Sequence, residues 1–207
     1  DGNKFVNVAL KKGAGCVISS KISKKNNNKI ITVKNSISFL NSFAKLKREL
    51  SLAKIIAVTG SAGKTSLKNL IQDLLQNFGK TCSSSKSFNN HLGVPISLSN
   101  LSFNDKFGVF EVGMSRAGEI KKLSSLIEPH IGVITNIGEA HIENFQSVYG
   151  IAKAKSEIIE SISEGGTIIL NRDEKFFNYL SKKANKYKLK IFTFGHHKKS
   201  DVQIKKI

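Results

Sequence analysis

One stretch limits more than any other what this chain can fold into. A β-branched apolar run at 54–59 is followed directly by Gly-Ser-Ala-Gly-Lys-Thr at 60–65. The run predicts a buried strand. From Ser66 onward, leucine and isoleucine recur at helical spacing, and Gly79 stands where a C-terminal cap would fall, which predicts an amphipathic helix. Strand, short loop and helix in this order indicate an α/β protein.

The loop between this strand and helix has the composition of a polyphosphate site. Gly60 and Gly63 carry no Cβ, so the backbone N–H groups can turn inward toward an anion at the start of the helix. Lys64 would reach the β and γ phosphates, and the Thr65 hydroxyl would hold Mg²⁺. The common Gly-x-x-x-x-Gly-Lys pattern is longer by two residues, so a chance turn is the alternative. We predict an ATP site formed by Thr59, Gly60, Ser61, Ala62, Gly63, Lys64, Thr65 and Ser66.

Composition excludes several classes of protein. Of the 207 residues, 40% are hydrophobic and 23% are charged, as in ordinary globular proteins. No apolar run approaches the roughly 18 residues of a membrane helix, and no signal peptide is apparent, so we predict no membrane insertion and a cytoplasmic location. The net charge is +18, but the lysines are spread without interleaved aromatic residues. We therefore expect anionic ligands such as nucleotides and no nucleic acid. Cys16 and Cys82 form no motif and are expected to be free thiols.

Strands and helices are predicted to alternate along the chain. Strands are expected at 16–19, 30–33, 54–59, 107–112, 130–137, 167–170 and 190–194. Helices are expected at 5–10, at 37–50 with Ser36 as its cap, and at 66–79, 120–126, 147–163 and 176–184. A polar surface loop is expected at 21–29. Short turns between alternating elements predict an α/β fold, with a mostly parallel sheet that carries helices on both faces.

Two domains are expected. Residues 1–50 form a small α/β piece that is too short to be a complete domain, and residues 51–207 form the domain with the ATP site. The chain opens on Asp1 and ends, at 202–207, on what looks like a strand just begun. We therefore expect an excerpt from a longer protein.

Two side chains are expected at the edge of the sheet where the ATP site lies. Glu111 stands near the end of the strand at 107–112, where a nucleotide-bound Mg²⁺ needs a hard oxygen ligand. An ion-paired acid at a strand end is the alternative. His141 follows the next strand and leaves the sheet at the same edge. It could be a metal ligand or a solvated bystander.

Lys155 is the least expected residue of its helix. It lies on the apolar face, four residues after Ile151 and three before Ile158, whereas Lys153 lies on the outer face with Glu157 four residues further on. Burial of an ammonium is costly, so such a lysine either snorkels to water or loses its proton.

The segment 83–95 allows two interpretations. It is either a polar loop that ends at Gly-x-Pro, or a substrate-binding loop that offers Asn89, Asn90 and His91. Its composition alone favours the plain loop.

Taken in order, these segments resemble the Mur ligases. The residues that carry the resemblance are Thr59-Gly-Ser-Ala-Gly-Lys-Thr65, Phe88-Asn-Asn-His-Leu-Gly-Val-Pro95, Glu111-Val-Gly-Met-Ser-Arg-Ala-Gly-Glu-Ile120, Thr135-Asn-Ile-Gly-Glu-Ala-His-Ile-Glu143, Gly150-Ile-Ala-Lys-Ala-Lys-Ser-Glu-Ile158, Asn171-Arg-Asp173 and Thr193-Phe-Gly195. The match covers nearly the whole chain. Within the family it is closest to the members that add D-alanyl-D-alanine to UDP-N-acetylmuramoyl-tripeptide, and less close to the other Mur ligases or folylpolyglutamate synthase.

The resemblance implies a domain plan and a set of substrates. A middle domain would bind ATP, an N-terminal domain, truncated here, would hold the UDP-linked substrate, and a C-terminal domain, absent here, would close over both. The partners implied are UDP-N-acetylmuramoyl-tripeptide and D-Ala-D-Ala, bound by a monomer. The implied reaction is ATP-dependent amide formation through an acyl phosphate.

The resemblance also implies roles for single residues. Thr65, Glu111 and His141 would hold Mg²⁺, and Lys155 would join them as a carbamate formed with CO₂. Lys64, His141 and Lys155 would take part in catalysis. Asn136 and Asn171 would contact the nucleotide, and Asn89, Asn90 and His91 would contact substrate.

Departures from the family pattern occur at Ser87, Gln146 and Glu174, at the edges of loops. Two alternatives stay open. One is another ATP-dependent amide ligase, such as a different Mur ligase or a folylpolyglutamate-synthase-like enzyme. The other is a nucleotide-binding module without catalytic activity.

Overall fold

The computed structural model describes residues 2–21 and 27–205. The surface loop predicted at 21–29 lies mostly outside these residues. The chain divides into two compact units, Asp1–Phe43 and Ala44–Ile207.

The first unit contains short helices and a pair of short strands. A 3₁₀ turn, Gly2–Phe5, continues into α1, Val6–Lys11. Strand β1, Val17–Ser19, pairs in parallel with β2, Ile30–Thr32. These elements lie where the apolar residues of the sequence predicted them.

Helix α2, Ser36–Glu49, is capped by the residue before it. The Oδ1 atom of Asn35 accepts hydrogen bonds from the backbone N–H groups of Ile37 and Ser38, both at 2.9 Å. Asn35 is therefore the N-cap. The prediction of Ser36 as the cap is wrong, because Ser36 is already the first residue of the helix.

The second unit is organised around a sheet of seven strands. The strands are β3, Lys54–Thr59; β4, Thr81–Ser83; β5, Phe107–Glu111; β6, Ile131–Ile134; β7, Thr167–Asn171; β8, Lys190–Gly195; and β9, Val202–Gln203. Their order in the sheet is β4-β5-β3-β6-β7-β8-β9, and every neighbouring pair is parallel. The predicted α/β class with a mostly parallel sheet is confirmed. Strand β4 was not predicted.

Both faces of the sheet are covered, as the alternation of side chains along β3 shows. Ile55 and Ala57 belong to one apolar cluster, and Ile56 and Val58 belong to another. Neighbouring residues of a strand point to opposite faces, so the two clusters lie on opposite sides of the sheet.

Five α-helices follow α2 in the described chain. They are α3, Lys64–Gln76; α4, Gly93–Ser99; α5, Glu119–Ile127; α6, Val148–Lys155; and α7, Phe177–Lys186. Short 3₁₀ helices span Ile142–Asn144 and Ser156–Ser161. None of the helices in the described chain is long and apolar enough to cross a membrane.

The structure corrects three of the helix predictions. Helix α4 occupies part of the segment that was expected to be loop as far as residue 95. The helix expected at 147–163 is α-helical only to Lys155 and then tightens into the 3₁₀ segment. Helix α3 begins at Lys64 instead of Ser66 and ends at Gln76, so Gly79 does not cap it.

Helix α3 packs through a narrower face than its leucines predicted. Leu67, Ile71 and Leu75 pack against the sheet, whereas Leu70 and Leu74 are 57% and 55% exposed. The leucine spacing therefore predicted the helix correctly but assigned too many residues to its buried side.

The strand order brings the candidate site residues to one place. Strand β3 lies between β5 and β6. The strands β4 and β5 are added on one side of β3, and the strands from β6 onward are added on its other side. Ligands of open parallel sheets bind at the carboxyl ends of the strands at such a switch point. The segments that follow β3, β5 and β6 are the ones that carry the phosphate loop, Glu111 and His141.

His130, just before β6, predicts a pH dependence of stability. Its Nδ1 atom accepts a hydrogen bond from the Ile55 N–H at 2.9 Å, which requires the neutral ring. Burial, and then the charges of Arg48 and Lys54, lower the pKa of His130 in the folded protein. As the pH falls below the ordinary histidine value of about 6.5, the unfolded chain takes up this proton first. Below that pH, the contribution of His130 to the free energy of unfolding should therefore decrease. This contribution should be fully present only above that pH.

The measurement is urea unfolding at pH 7.5 and 5.5 for the wild-type protein and for His130→Gln. The variant keeps an acceptor but does not titrate, so its loss of stability at the lower pH should be smaller. An equal loss in both proteins would contradict the prediction.

Candidate active site

The loop between β3 and α3 is held against the segment that follows β6. A Cβ on Gly60 would lie 1.8 Å from Oγ1 of Thr135, so only glycine fits there. The Thr135 hydroxyl donates to the carbonyl of Ala62 at 2.7 Å. Asn136 Oδ1 accepts from the N–H groups of Ser61, at 3.1 Å, and Ala62, at 2.9 Å.

These contacts divide the backbone N–H groups of the loop into two sets. Those of Ser61 and Ala62 are bonded to Asn136 and are not directed at a ligand. The N–H groups of the first turn of α3, at Lys64, Thr65 and Ser66, have no partner within the helix, because a helix leaves its first N–H groups unpaired. An anion would therefore bind at the start of α3, where the helix dipole is positive.

The Lys64 ammonium lies over the loop. Its Nζ donates to the carbonyl of Gly60 at 2.8 Å. Burial lowers the pKa of Lys64, and the nearby Glu111 carboxylate opposes this effect.

Glu111 ends β5 as a buried carboxylate with both oxygens occupied. The residue is only 1% exposed. Its Oε2 accepts from the Thr65 hydroxyl at 2.7 Å, and its Oε1 accepts from Asn89 Nδ2 at 2.7 Å. The structure thus places the two oxygen ligands predicted for Mg²⁺ in direct contact, at the start of α3.

The loop that carries Asn89 passes very close to the end of β5. The Gly113 N–H donates to the Asn89 carbonyl at 2.9 Å. A Cβ at residue 113 would lie 2.7 Å from Asn89 Oδ1, so a side chain there would displace the Asn89 amide. This approach is what lets the Asn89 amide reach Glu111.

Lys155 is buried at the end of α6 and is 2% exposed. Within the described residues its ammonium makes neither a hydrogen bond nor an ion pair. Burial and, as the second cause, the charge of Lys64 together lower the pKa of Lys155 to about 8. Its side chain lines the same cavity as Lys64. Lys153 is exposed, as predicted from its position on the outer face.

His141 also lines this cavity but is more open to solvent. Its side chain is 49% exposed, and its Nδ1 lies 3.7 Å from Oε1 of Glu143. In the ranges 2–21 and 27–205, no three His, Cys, Asp or Glu side chains converge where they could hold a metal ion. A metal at this edge would therefore rely on the hydroxyl of Thr65 or on a modified Lys155 in addition to Glu111 and His141.

The cavity has a volume of about 580 Å³. Eight of the residues predicted to bind ligands line it: Gly60, Ser61, Lys64, Asn89, Asn90, His91, His141 and Lys155. Asn171 is not among its lining residues, and its Oδ1 accepts from the Asp173 N–H at 2.9 Å. Asn90 has a second role, because its Oδ1 accepts from the N–H groups of Leu92 and Gly93 at the start of α4.

Three charged side chains of the cavity wall were not singled out in the sequence. They are Arg116, Glu119 and Lys122, at and just before the start of α5. Oε2 of Glu119 accepts from the N–H groups of Ser115, at 2.6 Å, and Arg116, at 3.1 Å, and so shapes the turn into α5. A glutamate at the first position of a helix is the signal that could have identified this turn.

Glu157, in the 3₁₀ segment Ser156–Ser161, also holds the start of α5 in place. Its carboxylate accepts from the N–H groups of Gly118, at 2.8 Å, and Lys121, at 3.0 Å, in the first turn of α5. Its sequence position predicted an outer-face neighbour of Lys153, but it caps α5 instead. Glu157 thereby joins the wall of the cavity to the segment that follows Lys155.

A phosphate loop at the switch point of a parallel sheet, with an acid at the end of the neighbouring strand, defines a nucleotide-binding α/β protein. The comparisons give its family. The sequence model of the Mur ligase middle domain matches residues 58–207. The chain belongs to the Mur ligase family.

Several named relatives and solved structures match nearly the whole of this chain. The UDP-N-acetylmuramoyl-tripeptide--D-alanyl-D-alanine ligase of Rickettsia prowazekii is 40% identical over 206 residues, which cover 99% of this chain and 46% of that protein. A crystal structure of MurF from Acinetobacter baumannii matches with a TM-score of 0.88 and 30% identity, over 100% of this chain and 44% of that one. The MurF ligase of Thermotoga maritima in complex with ADP has a TM-score of 0.79 and 29% identity, over 95% and 45% of the two chains. This chain therefore spans less than half the length of the relatives it matches.

The contacts of Glu157 predict a loss of stability when its carboxylate is removed. Glu157→Gln keeps the size of the side chain but loses the charge at the start of α5, and one of its two acceptor positions becomes an amide. The free energy of unfolding should fall by about 1 kcal/mol, as for the loss of a helix cap. Urea unfolding would measure it, with the exposed Glu164→Gln as the matched control. Equal stability of the two variants would contradict the capping role.

Proposed function

We propose that the protein to which this chain belongs is an ATP-dependent amide ligase that joins D-alanyl-D-alanine to UDP-N-acetylmuramoyl-tripeptide. The observation that carries the proposal is the cluster of Lys64, Thr65 and Glu111 at the start of α3, beside a cavity of about 580 Å³. The names of the relatives from Rickettsia prowazekii and other bacteria support the choice of substrates. The proposal concerns the whole protein, because this chain covers only 46% of the Rickettsia relative.

The reaction would proceed in two steps. An oxygen of the tripeptide carboxylate attacks the γ-phosphorus of ATP, the bond to the β-γ bridging oxygen breaks, and an acyl phosphate and ADP result. The amine of D-Ala-D-Ala then attacks the acyl carbon, phosphate leaves, and the amine gives up a proton as the amide forms. The unpaired N–H groups at the start of α3 and the Lys64 ammonium would bind the phosphates and stabilise the charge on the transferred group.

The residues around Glu111 fit a Mg²⁺ ion. The hydroxyl of Thr65 and the carboxylate of Glu111 are hard oxygen donors that lie 2.7 Å apart beside the phosphate loop. We infer that they would hold the ion, with His141 as a further ligand. When bound, Mg²⁺ would neutralise charge on the phosphoryl oxygens. The contact between Asn89 and Glu111 would keep the carboxylate oriented toward the phosphate loop.

The surroundings of Lys155 suit a chemically modified lysine better than a free ammonium. It is 2% exposed, has no partner among the described residues, and lines the cavity beside Lys64. A neutral amine can attack CO₂ and lose a proton, which gives a carbamate with one negative charge. We propose this modification, because a carbamate would pair with Lys64 and offer two oxygens to the metal, whereas the ammonium is repelled by Lys64.

The function is tested by phosphate release from the full-length protein. ATP, UDP-N-acetylmuramoyl-tripeptide and D-Ala-D-Ala are supplied together, and then each is left out in turn. We expect phosphate release and a new amide only when all three are present. ATP binding without phosphate release would favour a nucleotide-binding module, and turnover with another amine in place of the dipeptide would favour a different amide ligase.

Removal of the Lys64 ammonium should nearly abolish turnover. In Lys64→Ala we expect kcat to fall by about 10²–10³-fold, as for the loss of a main charge-stabilising donor, together with weaker ATP binding. Phosphate release and ATP titration measure the two effects. The control is Lys182→Ala, an exposed lysine of α7. Near-normal phosphate release from Lys64→Ala would overturn the assignment of the phosphate site.

Removal of Lys155 should reduce activity without loss of the fold. We expect very low phosphate release from Lys155→Ala, because a metal ligand would be lost, with little change in the circular dichroism spectrum. Added bicarbonate should not restore activity, whereas a short carboxylic acid that fills the vacated space should restore part of it. Lys153→Ala, on the outer face of α6, is the control. Wild-type turnover in Lys155→Ala would contradict the carbamate.

A further inference from the structure

The most deeply buried residue of α3 is a lysine. Lys68 lies one turn after Lys64 and is 2% exposed, and it is the one buried residue of this helix, all of which is described. Burial of an ammonium is costly unless hydrogen bonds replace its water. The position of Lys68 is therefore expected to depend on specific acceptors.

The acceptors are backbone carbonyls of the loop between β4 and α4. Nζ of Lys68 donates to the Ser84 carbonyl at 2.6 Å and to the Lys86 carbonyl at 3.3 Å. The Glu111 carboxylate also interacts with it electrostatically. Lys68 thus satisfies carbonyl groups that would otherwise lie against α3 without donors.

The conformation of the loop depends on these contacts at its beginning. Lys86 has a φ of +47°, which is unusual for a residue with a side chain and persists only where neighbours impose it. The Ser84 N–H donates to Val109 at 3.1 Å, and its hydroxyl accepts from the Glu111 N–H at 3.2 Å. Strand β5 therefore holds the first residue of the loop on one side, and Lys68 holds its carbonyl on the other.

The far end of the loop reaches the same carboxylate. Asn89 donates through Nδ2 to Glu111 at 2.7 Å and accepts through its carbonyl from Gly113 at 2.9 Å. Asn90 and His91 come next and line the cavity. Five residues of chain therefore connect Ser84, at the beginning of the loop, to Asn89, which precedes the side chains at the cavity.

We propose that Lys68 is a positioning residue for the substrate loop. It touches no substrate itself; it holds the carbonyls of Ser84 and Lys86 so that Asn89 contacts Glu111 and Asn90 and His91 face the cavity. This inference rests on the proposed function, in which the loop contacts the UDP-linked tripeptide. Because the loop 60–63 is held separately by Thr135 and Asn136, loss of Lys68 should affect one substrate more than the other.

The test is Lys68→Met in the full-length protein. Methionine keeps the apolar stem but cannot donate a hydrogen bond. We expect the KM for the UDP-linked tripeptide to rise by about tenfold or more, which corresponds to the loss of a charged hydrogen bond, while the KM for ATP stays nearly constant. Amide hydrogen exchange followed by mass spectrometry should be faster in peptides from 84–92 and unchanged in those from β3 and β6.

Two further variants complete the test. Lys45→Met removes an exposed lysine of α2 that pairs with Glu49 at 3.8 Å, and it should behave as wild type. Lys68→Gln keeps an amide donor but loses the charge, and it should show a smaller rise in KM. If the methionine variant does not fold, the glutamine variant is compared with the wild type instead. A substrate-independent loss of activity, with equal changes in both KM values and no local change in exchange, would overturn the proposal and leave Lys68 a purely structural residue.

Failure of this inference can be separated from failure of the proposed function. A wild-type protein that does not release phosphate with both substrates would refute the ligase proposal. The exchange measurement needs no turnover, so it would still test whether Lys68 fixes the loop. An active wild-type protein, with loop exchange and both KM values unchanged in Lys68→Met, would refute the role of Lys68 alone.

Discussion

The buried carboxylate of Glu111 is the group on which the rest of the site depends. It is 1% exposed, and a charge so deeply placed must be surrounded by donors. The donors come from separate parts of the chain, with the Thr65 hydroxyl on α3 and the Asn89 amide on the loop before α4. Satisfying this one carboxylate therefore brings a helix, a strand end and a loop to a single point. The same elements form one part of the cavity wall, and α5, α6 and the segment after β6 form the rest.

The three lysines Lys64, Lys68 and Lys155 differ in what surrounds their ammonium groups. Lys68 is satisfied by two carbonyls and acts within the protein. Lys64 contacts one carbonyl and lines the cavity, and Lys155 has no partner within the described chain. The positive charge that the fold leaves unbalanced therefore faces the cavity, where an anionic ligand or a modified side chain would balance it. In the roles proposed above, the charge of Lys68 stabilises the loop, and Lys64 and Lys155 act on bound ligands.

Sequence reasoning succeeded where a local pattern decides the structure and failed where distant backbone groups do. Strand β3, and the placement of candidate site residues at its carboxyl end, followed from the apolar run and the order of the elements. Helix α4 was missed because Gly93 and Pro95 indicate a turn, although proline is tolerated in the first turn of a helix. The burial of Lys68 has no signal in the sequence, because its acceptors are carbonyls that every residue carries. The side chain of Asn136 was expected at the nucleotide, and its bonds to the phosphate loop depend on a sheet register that the sequence does not display.

The contact between Gly113 and Asn89 restricts which amino-acid substitutions this cleft can accept. The hypothetical Cβ at residue 113 lies 2.7 Å from the Asn89 amide oxygen, so enlarging residue 113 alone displaces the amide, and shrinking residue 89 alone leaves Oε1 of Glu111 without its donor. A compensated change must alter both positions together and supply a new donor to the carboxylate. Among homologues the two positions should therefore covary as a pair, and a mutational library that samples them one at a time would contain almost no functional intermediates.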